Sequence, residues 1–191
     1  MPDAAATSVA QSDVFVAANL APLTLVLGGA RSGKSTYAES LLAGHPAPIY
    51  LATGQAGDGE MAERIRLHRE RRGAAWRTVE APFDLAGAVQ VEAQPGHAIL
   101  VDCLTLWISN LMGAARDIEG ESARLVAALG GLRAPVVFVS NEVGLGIVPD
   151  NALARQFRDH AGRLNQRIAA ACQRVVFVAA GLPLVLKDQK A

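Results

Sequence analysis

The sequence predicts an α/β fold in which a mainly parallel sheet is covered by helices on both faces. Short apolar segments typical of buried strands alternate along the chain with segments of helical spacing. The first strand runs directly into a glycine-rich turn and then a helix. Of the 191 residues, 51% are hydrophobic, which is enough for a sizeable core and excludes disorder over the whole length. The length suits a single domain.

Five segments have the length and apolar composition of buried strands. They are residues 23–27, 49–52, 98–101, 136–139 and 175–179, and residues 184–186 form a weaker sixth candidate. Five further segments have helical spacing: residues 32–43, 60–72, 104–112, 122–132 and 151–172. Asp150 and Asn151, just after Pro149, provide a capping signal for the last helix. Residues 113–120 are predicted as a surface excursion.

The termini and the cysteines indicate a cytoplasmic protein. Residues 1–21 carry Asp3 and Asp13 but no Lys or Arg, unlike the basic start of a signal peptide. We expect them to be a disordered extension, with residues 22–191 forming a single domain. No apolar run approaches the ~20 residues that a membrane span needs. Cys103 and Cys172 cannot form a disulfide framework and fit buried positions in a reducing compartment.

The charge balance argues against a nucleic-acid partner. Lys plus Arg and Asp plus Glu each number 18, so the formal net charge is zero. Proteins that bind nucleic acid through its phosphates are normally basic. An ATPase that acts on nucleic acid is therefore disfavoured.

The strongest motif is a phosphate loop, with the pattern Gly, four residues, Gly-Lys-Ser, between a strand and a helix. Gly28 and Gly33 permit the backbone angles that turn amide groups toward a phosphate at a helix N-terminus. Lys34 can reach the terminal phosphates, and Ser35 can ligate Mg²⁺. A glycine-rich turn that binds nothing would not need Lys34 and Ser35 together. The predicted nucleotide-binding residues here are Gly28, Gly29, Ala30, Arg31, Ser32, Gly33, Lys34 and Ser35.

Asp102 ends the apolar run 99–101, where a carboxylate would open into the ligand crevice of a parallel sheet. It could hold Mg²⁺ directly or through water, or it could cap the following helix. The loop and Asp102 together indicate a protein that uses a nucleoside triphosphate. They do not choose between a kinase, a GTPase and a motor ATPase.

His68 lies in the basic helical segment 60–72, with Arg64, Arg71 and Arg72 as neighbours on its face. Nearby cations favour a neutral imidazole, which could attack phosphorus and form a covalent intermediate. From these residues alone, a solvated basic face is the favoured interpretation.

The chain resembles the bifunctional adenosylcobinamide kinase / adenosylcobinamide-phosphate guanylyltransferase family of cobalamin biosynthesis. The segments that carry the resemblance are 28–35, 50–72, 76–80, 99–107, 140–172 and 181–187, in family order. EVGLGIVP and FRDHAGRLNQ are far more specific than the phosphate loop, which many families share. The resemblance implies a three-layer, RecA-like phosphate-loop fold and assembly as a homotrimer.

The resemblance also implies residue roles. His68 would take GMP from GTP and pass it to adenosylcobinamide phosphate, and Lys34 of the phosphate loop is the other predicted catalytic residue. The metal ligands predicted from the motif and the strand end are Ser35 and Asp102, with Mg²⁺ as cofactor, and the resemblance implies GTP and ATP as substrates. Further nucleotide contacts are implied for Ala52, Thr53, Arg69, Arg71, Arg72, Glu80 and Asp102.

The expected activity is phosphorylation of adenosylcobinamide followed by guanylyl transfer to adenosylcobinamide phosphate. Glu142 is a candidate general base for the first step. Four arginines recur between positions 155 and 167, and helical ion pairs such as Asp159–Arg163 are their favoured use. One alternative is a monofunctional kinase of another small metabolite. Another is a regulatory protein in which GTP only changes the conformation.

Overall fold

The computed structural model describes residues 20–55, Arg66 and residues 75–189. Within these residues a seven-stranded sheet is flanked by helices. The elements in chain order are β1 (Leu23–Gly28), α1 (Lys34–Leu41), β2 (Pro48–Ala52), β3 (Arg77–Glu80), α2 (Leu85–Glu92), β4 (Ala98–Asp102), α3 (Leu104–Gly113), α4 (Ile118–Ala128), β5 (Val136–Asn141), α5 (Ala152–Ala171), β6 (Arg174–Ala179) and β7 (Leu182–Asp188).

The strand order across the sheet is β3-β2-β4-β5-β1-β6-β7. All pairs are parallel except β6 with β7, which is antiparallel. The first six strands therefore all end at one edge of the sheet, which we call the carboxyl edge. In open parallel sheets this edge is where ligands bind.

Side chains alternate between two cores, one on each face of the sheet. Leu25 and Phe138 point into the larger core, where they pack with residues of α2, α3, α4 and α5. Their chain neighbours Val26 and Val139 face the other side, where they pack with α1. Trp107 of α3 is fully buried in the larger core, and its indole N–H donates to the carbonyl oxygen of Phe83 at 2.8 Å. Helices on both faces confirm the predicted layering.

The six predicted strands are confirmed, but β3 and α2 fall in a stretch where the sequence analysis predicted no element. The prediction of a surface loop over residues 113–120 is wrong for the last three of them, because α4 begins at Ile118. Asp117 caps this helix by accepting a hydrogen bond from Gly120 N at 3.0 Å. The helix also ends earlier than predicted, in a 3₁₀ turn at Leu129–Gly131. The predicted helix 60–72 and extension 1–21 lie almost wholly outside the described residues.

The N-cap prediction for the last long helix is confirmed. Asn151 accepts a hydrogen bond from Ala154 N at 2.7 Å, and α5 follows directly. Of the helices in the described ranges, none has the length and apolar character needed to cross a membrane.

Candidate active site

The phosphate loop connects β1 to α1, and its geometry requires glycine at two positions, Gly28 and Gly33. A Cβ on Gly28 would lie 2.5 Å from the carbonyl oxygen of Val178, so no other residue fits without moving β6. Gly33 has φ +94, a left-handed conformation that glycine adopts without strain. The chain then enters α1 through the bond from Tyr37 N to Gly33 O at 2.9 Å. The loop backbone is thus shaped by β6 on one side and by the helix on the other.

Two further backbone hydrogen bonds hold the loop from outside. Glu142 N, just after β5, donates to Gly28 O at 3.1 Å. Gly181 N, in the turn between β6 and β7, donates to Ser32 O at 2.8 Å. Both flanking strands therefore contribute to the position of the loop.

Lys34 lies at the first position of α1, and its ammonium group donates to Gly29 O at 3.1 Å. Its charge also reaches Cys103 at the end of β4, where it lowers the pKa of the thiol. Burial and the Asp102 carboxylate outweigh that effect and raise the pKa of Cys103 to about 11. The Lys34 ammonium group and the Asp102 carboxylate therefore both influence the Cys103 thiol, in opposite directions.

Asp102 is the last residue of β4, and it pairs with Ala52 of β2 and Val139 of β5. The N-cap of α3 is Cys103, and no side chain makes a capping hydrogen bond there. The sequence had left open that Asp102 caps α3, and the structure shows no such cap. Its carboxylate lies two strands from the phosphate loop in the order β4-β5-β1.

Thr53 follows β2 and is fully buried. Its hydroxyl donates to Cys103 O and accepts from Cys103 N, both at 2.8 Å. The Thr53 carbonyl oxygen accepts a hydrogen bond from Asn110 Nδ2 at 2.7 Å. Thr53 thus joins the end of β2 to the turn that carries Asp102. Glu80 ends β3 and pairs with Ala52, with its side chain exposed.

A buried polar cluster behind the loop was not predicted from the sequence. Asn165 of α5 accepts from Ser140 Oγ at 2.6 Å and donates to Asn141 O at 3.2 Å. Asn141 in turn donates to Thr105 Oγ1 at 2.7 Å. The signal that could have found it is the polar pair Ser-Asn that ends the apolar run VVFV of β5. The cluster fixes the end of β5 between Asp102 and the loop.

The arginines of α5 are used in other contacts. Arg163 and Arg167 pair with Glu119 of α4 at 3.2 and 2.7 Å, so the expected Asp159–Arg163 pair is wrong. The hydrogen bond from Arg167 is the main reason that the pKa of Glu119 lies below its usual value. Asp159 pairs instead with Arg158 at 3.0 Å. These pairs join α4 to α5 and are not part of the loop.

The fold brings together, along the carboxyl edge, the phosphate loop, Ala52, Thr53, Glu80 and Asp102. His68, Arg69, Arg71 and Arg72 lie outside the described residues. The arrangement around the loop is that of a nucleoside-triphosphate site.

A family model described as cobinamide kinase / cobinamide phosphate guanyltransferase matches residues 24–186 of the chain. The chain belongs to this family. Its phosphate loop, Asp102 turn and α5 all lie within the matched residues.

Curated relatives bear the family assignment out. The bifunctional adenosylcobalamin biosynthesis protein CobP of Pseudomonas aeruginosa is 51% identical over 168 residues, which cover 86% of this chain and 97% of that protein. The protein CobU of Salmonella typhimurium, with the same description, is 44% identical over 180 residues and covers 86% and 99%. The predicted resemblance to the cobinamide kinase / cobinamide phosphate guanyltransferase family is confirmed.

Solved structures confirm the fold class of this family member. The RadB recombinase matches with a TM-score of 0.51 at 17% identity, covering 83% of this chain and 75% of that one. An ATPase domain matches with a TM-score of 0.53 at 11% identity, covering 89% and 78%. These likenesses confirm the expected α/β, RecA-like architecture.

Proposed function

We propose that the chain phosphorylates adenosylcobinamide with ATP or GTP and then transfers GMP from GTP to the phosphorylated product. The observation that carries the proposal is that the phosphate loop with Lys34 and the end of β4 with Asp102 lie along one carboxyl edge of the sheet in a member of this family. A kinase of this fold holds the phosphates of its nucleotide with such a loop. A guanylyltransferase also needs a group that can hold GMP.

In the first reaction, the acceptor hydroxyl attacks the γ-phosphorus, and the bond from that phosphorus to the bridging oxygen breaks. The amides of residues 28–35 and the Lys34 ammonium group stabilise the charge that develops. Glu142 is proposed to accept the hydroxyl proton, since its backbone N–H is bonded to Gly28 O beside the loop.

Mg²⁺ is proposed to be held by Ser35 and Asp102. A hydroxyl and a carboxylate are oxygen donors of the kind that Mg²⁺ prefers. Among the described residues, no group of three or more His, Cys, Asp and Glu side chains could cage a metal. This donor set fits Mg²⁺, which retains waters and binds phosphate oxygens rather than needing a cage made only of protein. When bound, the ion would neutralise charge on the phosphates.

In the second reaction, His68 is proposed to attack the α-phosphorus of GTP. A nitrogen–phosphorus bond forms, and pyrophosphate leaves with the electrons of the broken phosphorus–oxygen bond. The phosphate group of the acceptor then displaces His68 and takes the GMP. Arg69, Arg71 and Arg72, which lie close to His68 in the sequence, are proposed to bind the phosphates. The sequence pattern and the family support these roles.

We also propose that the protein assembles as a homotrimer, as the resemblance implies. The edge strand β7 supports an assembly of some kind, because its apolar side chains are exposed. The exposed fractions are 72% for Leu182, 61% for Leu184 and 57% for Leu186. Sedimentation equilibrium would test the number of subunits.

Product analysis by mass spectrometry tests the proposal. Wild-type protein with Mg²⁺, ATP and adenosylcobinamide is expected to give adenosylcobinamide phosphate, and added GTP is expected to give the GDP derivative. The variant Lys34→Met is expected to lose phosphorylation. Phosphorylation without any GDP derivative would favour the monofunctional kinase. Stoichiometric GTP binding without any change to the corrinoid would favour the regulatory protein.

A further inference from the structure

The segment that joins β5 to α5 presents large apolar side chains to solvent. Their exposed fractions are 81% for Leu145, 97% for Ile147, 63% for Val148 and 66% for Leu153. We call residues 142–153 the apolar loop. Single exposed apolar side chains are ordinary, but four within nine residues mark a contact surface.

The apolar loop begins beside the phosphate loop. Asn141, the last residue of β5, pairs with Gly28, and Glu142 N donates to Gly28 O at 3.1 Å. The segment therefore leaves the sheet at the carboxyl edge, next to the residues that would hold the nucleotide. A bulky molecule that covers the apolar loop from its first residues onward would therefore border the phosphate loop.

Polar contacts hold the backbone of the apolar loop at both ends. Gly144 N donates to the Glu142 carboxylate at 2.5 Å. At the other end, the Arg155 guanidinium donates to the carbonyl oxygens of Pro149 and Asp150, both at 2.8 Å. None of these bonds uses an apolar side chain of the loop. Leu145 and Ile147 are thus exposed on a backbone that hydrogen bonds hold at both ends of the loop.

The chemistry of the segment selects the kind of molecule that fits it. Residues 143–149 have the sequence VGLGIVP and contain no charged side chain. A surface for phosphates or nucleic acid would carry cations. This surface instead suits a bulky molecule with apolar groups, and a corrin macrocycle carries peripheral methyl groups among its amide side chains.

We propose that the apolar loop binds the macrocycle of the cobinamide acceptor and so directs its hydroxyl-bearing arm to the phosphate loop. This inference rests on the proposed function. The acceptor hydroxyl must reach the γ-phosphate, so the macrocycle must rest on a surface that borders the phosphate loop. The apolar loop has both the required position and the required chemistry.

The test is a comparison of Leu145→Ser and Ile147→Ser with a matched control, Val91→Ser. Val91 is similarly exposed at 68%, but it lies near the end of α2, which leads into the opposite end of β4. Steady-state phosphorylation is measured against adenosylcobinamide and against ATP. Sedimentation gives the oligomeric state, and thermal unfolding gives the stability.

The loop variants are expected to raise the KM for adenosylcobinamide about tenfold or more, as the loss of one buried apolar side chain predicts. Their KM for ATP, oligomeric state and thermal midpoint should match the wild type, and Val91→Ser should leave both KM values unchanged.

If the wild type makes product, an unchanged KM for adenosylcobinamide in both loop variants would overturn the inference. A changed oligomeric state would show instead that the apolar loop contacts a second copy of the chain. Absence of any corrinoid product from the wild type would overturn the proposed function and this inference together.

Discussion

The backbone N–H of Gly181 donates to the carbonyl oxygen of Ser32 at 2.8 Å, which ties the turn between β6 and β7 to the phosphate loop. The same turn places the Cα of Gly181 only 3.1 Å from the position that a Cβ on Gly33 would take. The shape of the phosphate loop therefore depends on the C-terminal hairpin as well as on its own glycines.

Replacement of Gly33 by alanine should weaken nucleotide binding. The left-handed φ of +94 would cost an alanine about 1–2 kcal/mol, and the new Cβ would press on Gly181. We expect the Kd for ATP to rise about tenfold or more, measured by titration calorimetry. Gly44→Ala is the matched control, because its φ is +82 and no described atom lies within 4 Å of the position that its Cβ would take. Equal ATP affinity in the two variants would refute this account.

Asp102→Asn should raise the Mg²⁺ concentration needed for phosphorylation. Whether Asp102 binds the ion directly or through water, loss of its charge is expected to weaken metal affinity about tenfold or more. The measurement is the initial rate as a function of Mg²⁺ at fixed ATP. Asp159→Asn, which removes only the surface pair with Arg158, should leave the curve unchanged. An unchanged curve for Asp102→Asn would argue against this ligand.

Asn165→Leu should destabilise the fold by about 1–3 kcal/mol, because it leaves the buried Ser140 hydroxyl without its acceptor. Urea unfolding measures the change. The double variant Asn165→Leu with Ser140→Ala removes both partners and should recover part of the loss. A double variant no more stable than Asn165→Leu would contradict the role assigned to this hydrogen bond.

The two thiols should make the fold less stable in alkali. Burial raises the pKa of Cys103 to about 11 and that of Cys172 to about 12, whereas an unfolded thiol titrates near 8.5, as is usual for cysteine. The folded state thus retains protons that the unfolded state loses, so this stabilisation is complete below about pH 8.5 and is lost as pH rises through the folded pKa values. We expect the free energy of unfolding to fall between about pH 9 and 11. The fall should be smaller when both cysteines are replaced by alanine.

The phosphate loop and Asp102 could be predicted because their signals are local. The loop has a fixed residue spacing between a strand and a helix, and Asp102 ends an uninterrupted apolar run. Parallel strand geometry then brings their ends to one edge. The sequence therefore predicted that the phosphate loop and Asp102 lie at one edge of the sheet, and the structure places them there.

The remaining features depend on contacts between distant residues. β3, with the sequence RTVE, is charged at both ends and half exposed, and its pairing with β2 is what makes it a strand. The hydrogen bond from Asn110 to Thr53 joins residues 57 positions apart. The start of α4, by contrast, is a local feature that was missed: Asp117 caps the helix by accepting a hydrogen bond from the Gly120 amide. Local composition carries no signal for the pairing of β3 with β2 or for the hydrogen bond from Asn110 to Thr53.

The central claim is that His68 becomes covalently guanylylated, and labelling with GTP radioactive at the α-phosphate tests it directly. The wild-type protein and His160→Ala, a variant of a histidine on α5, should retain label after denaturation that survives base but not acid. His68→Ala should retain none while it still phosphorylates adenosylcobinamide. Unlabelled wild-type protein, or label that persists in His68→Ala, would contradict the claim.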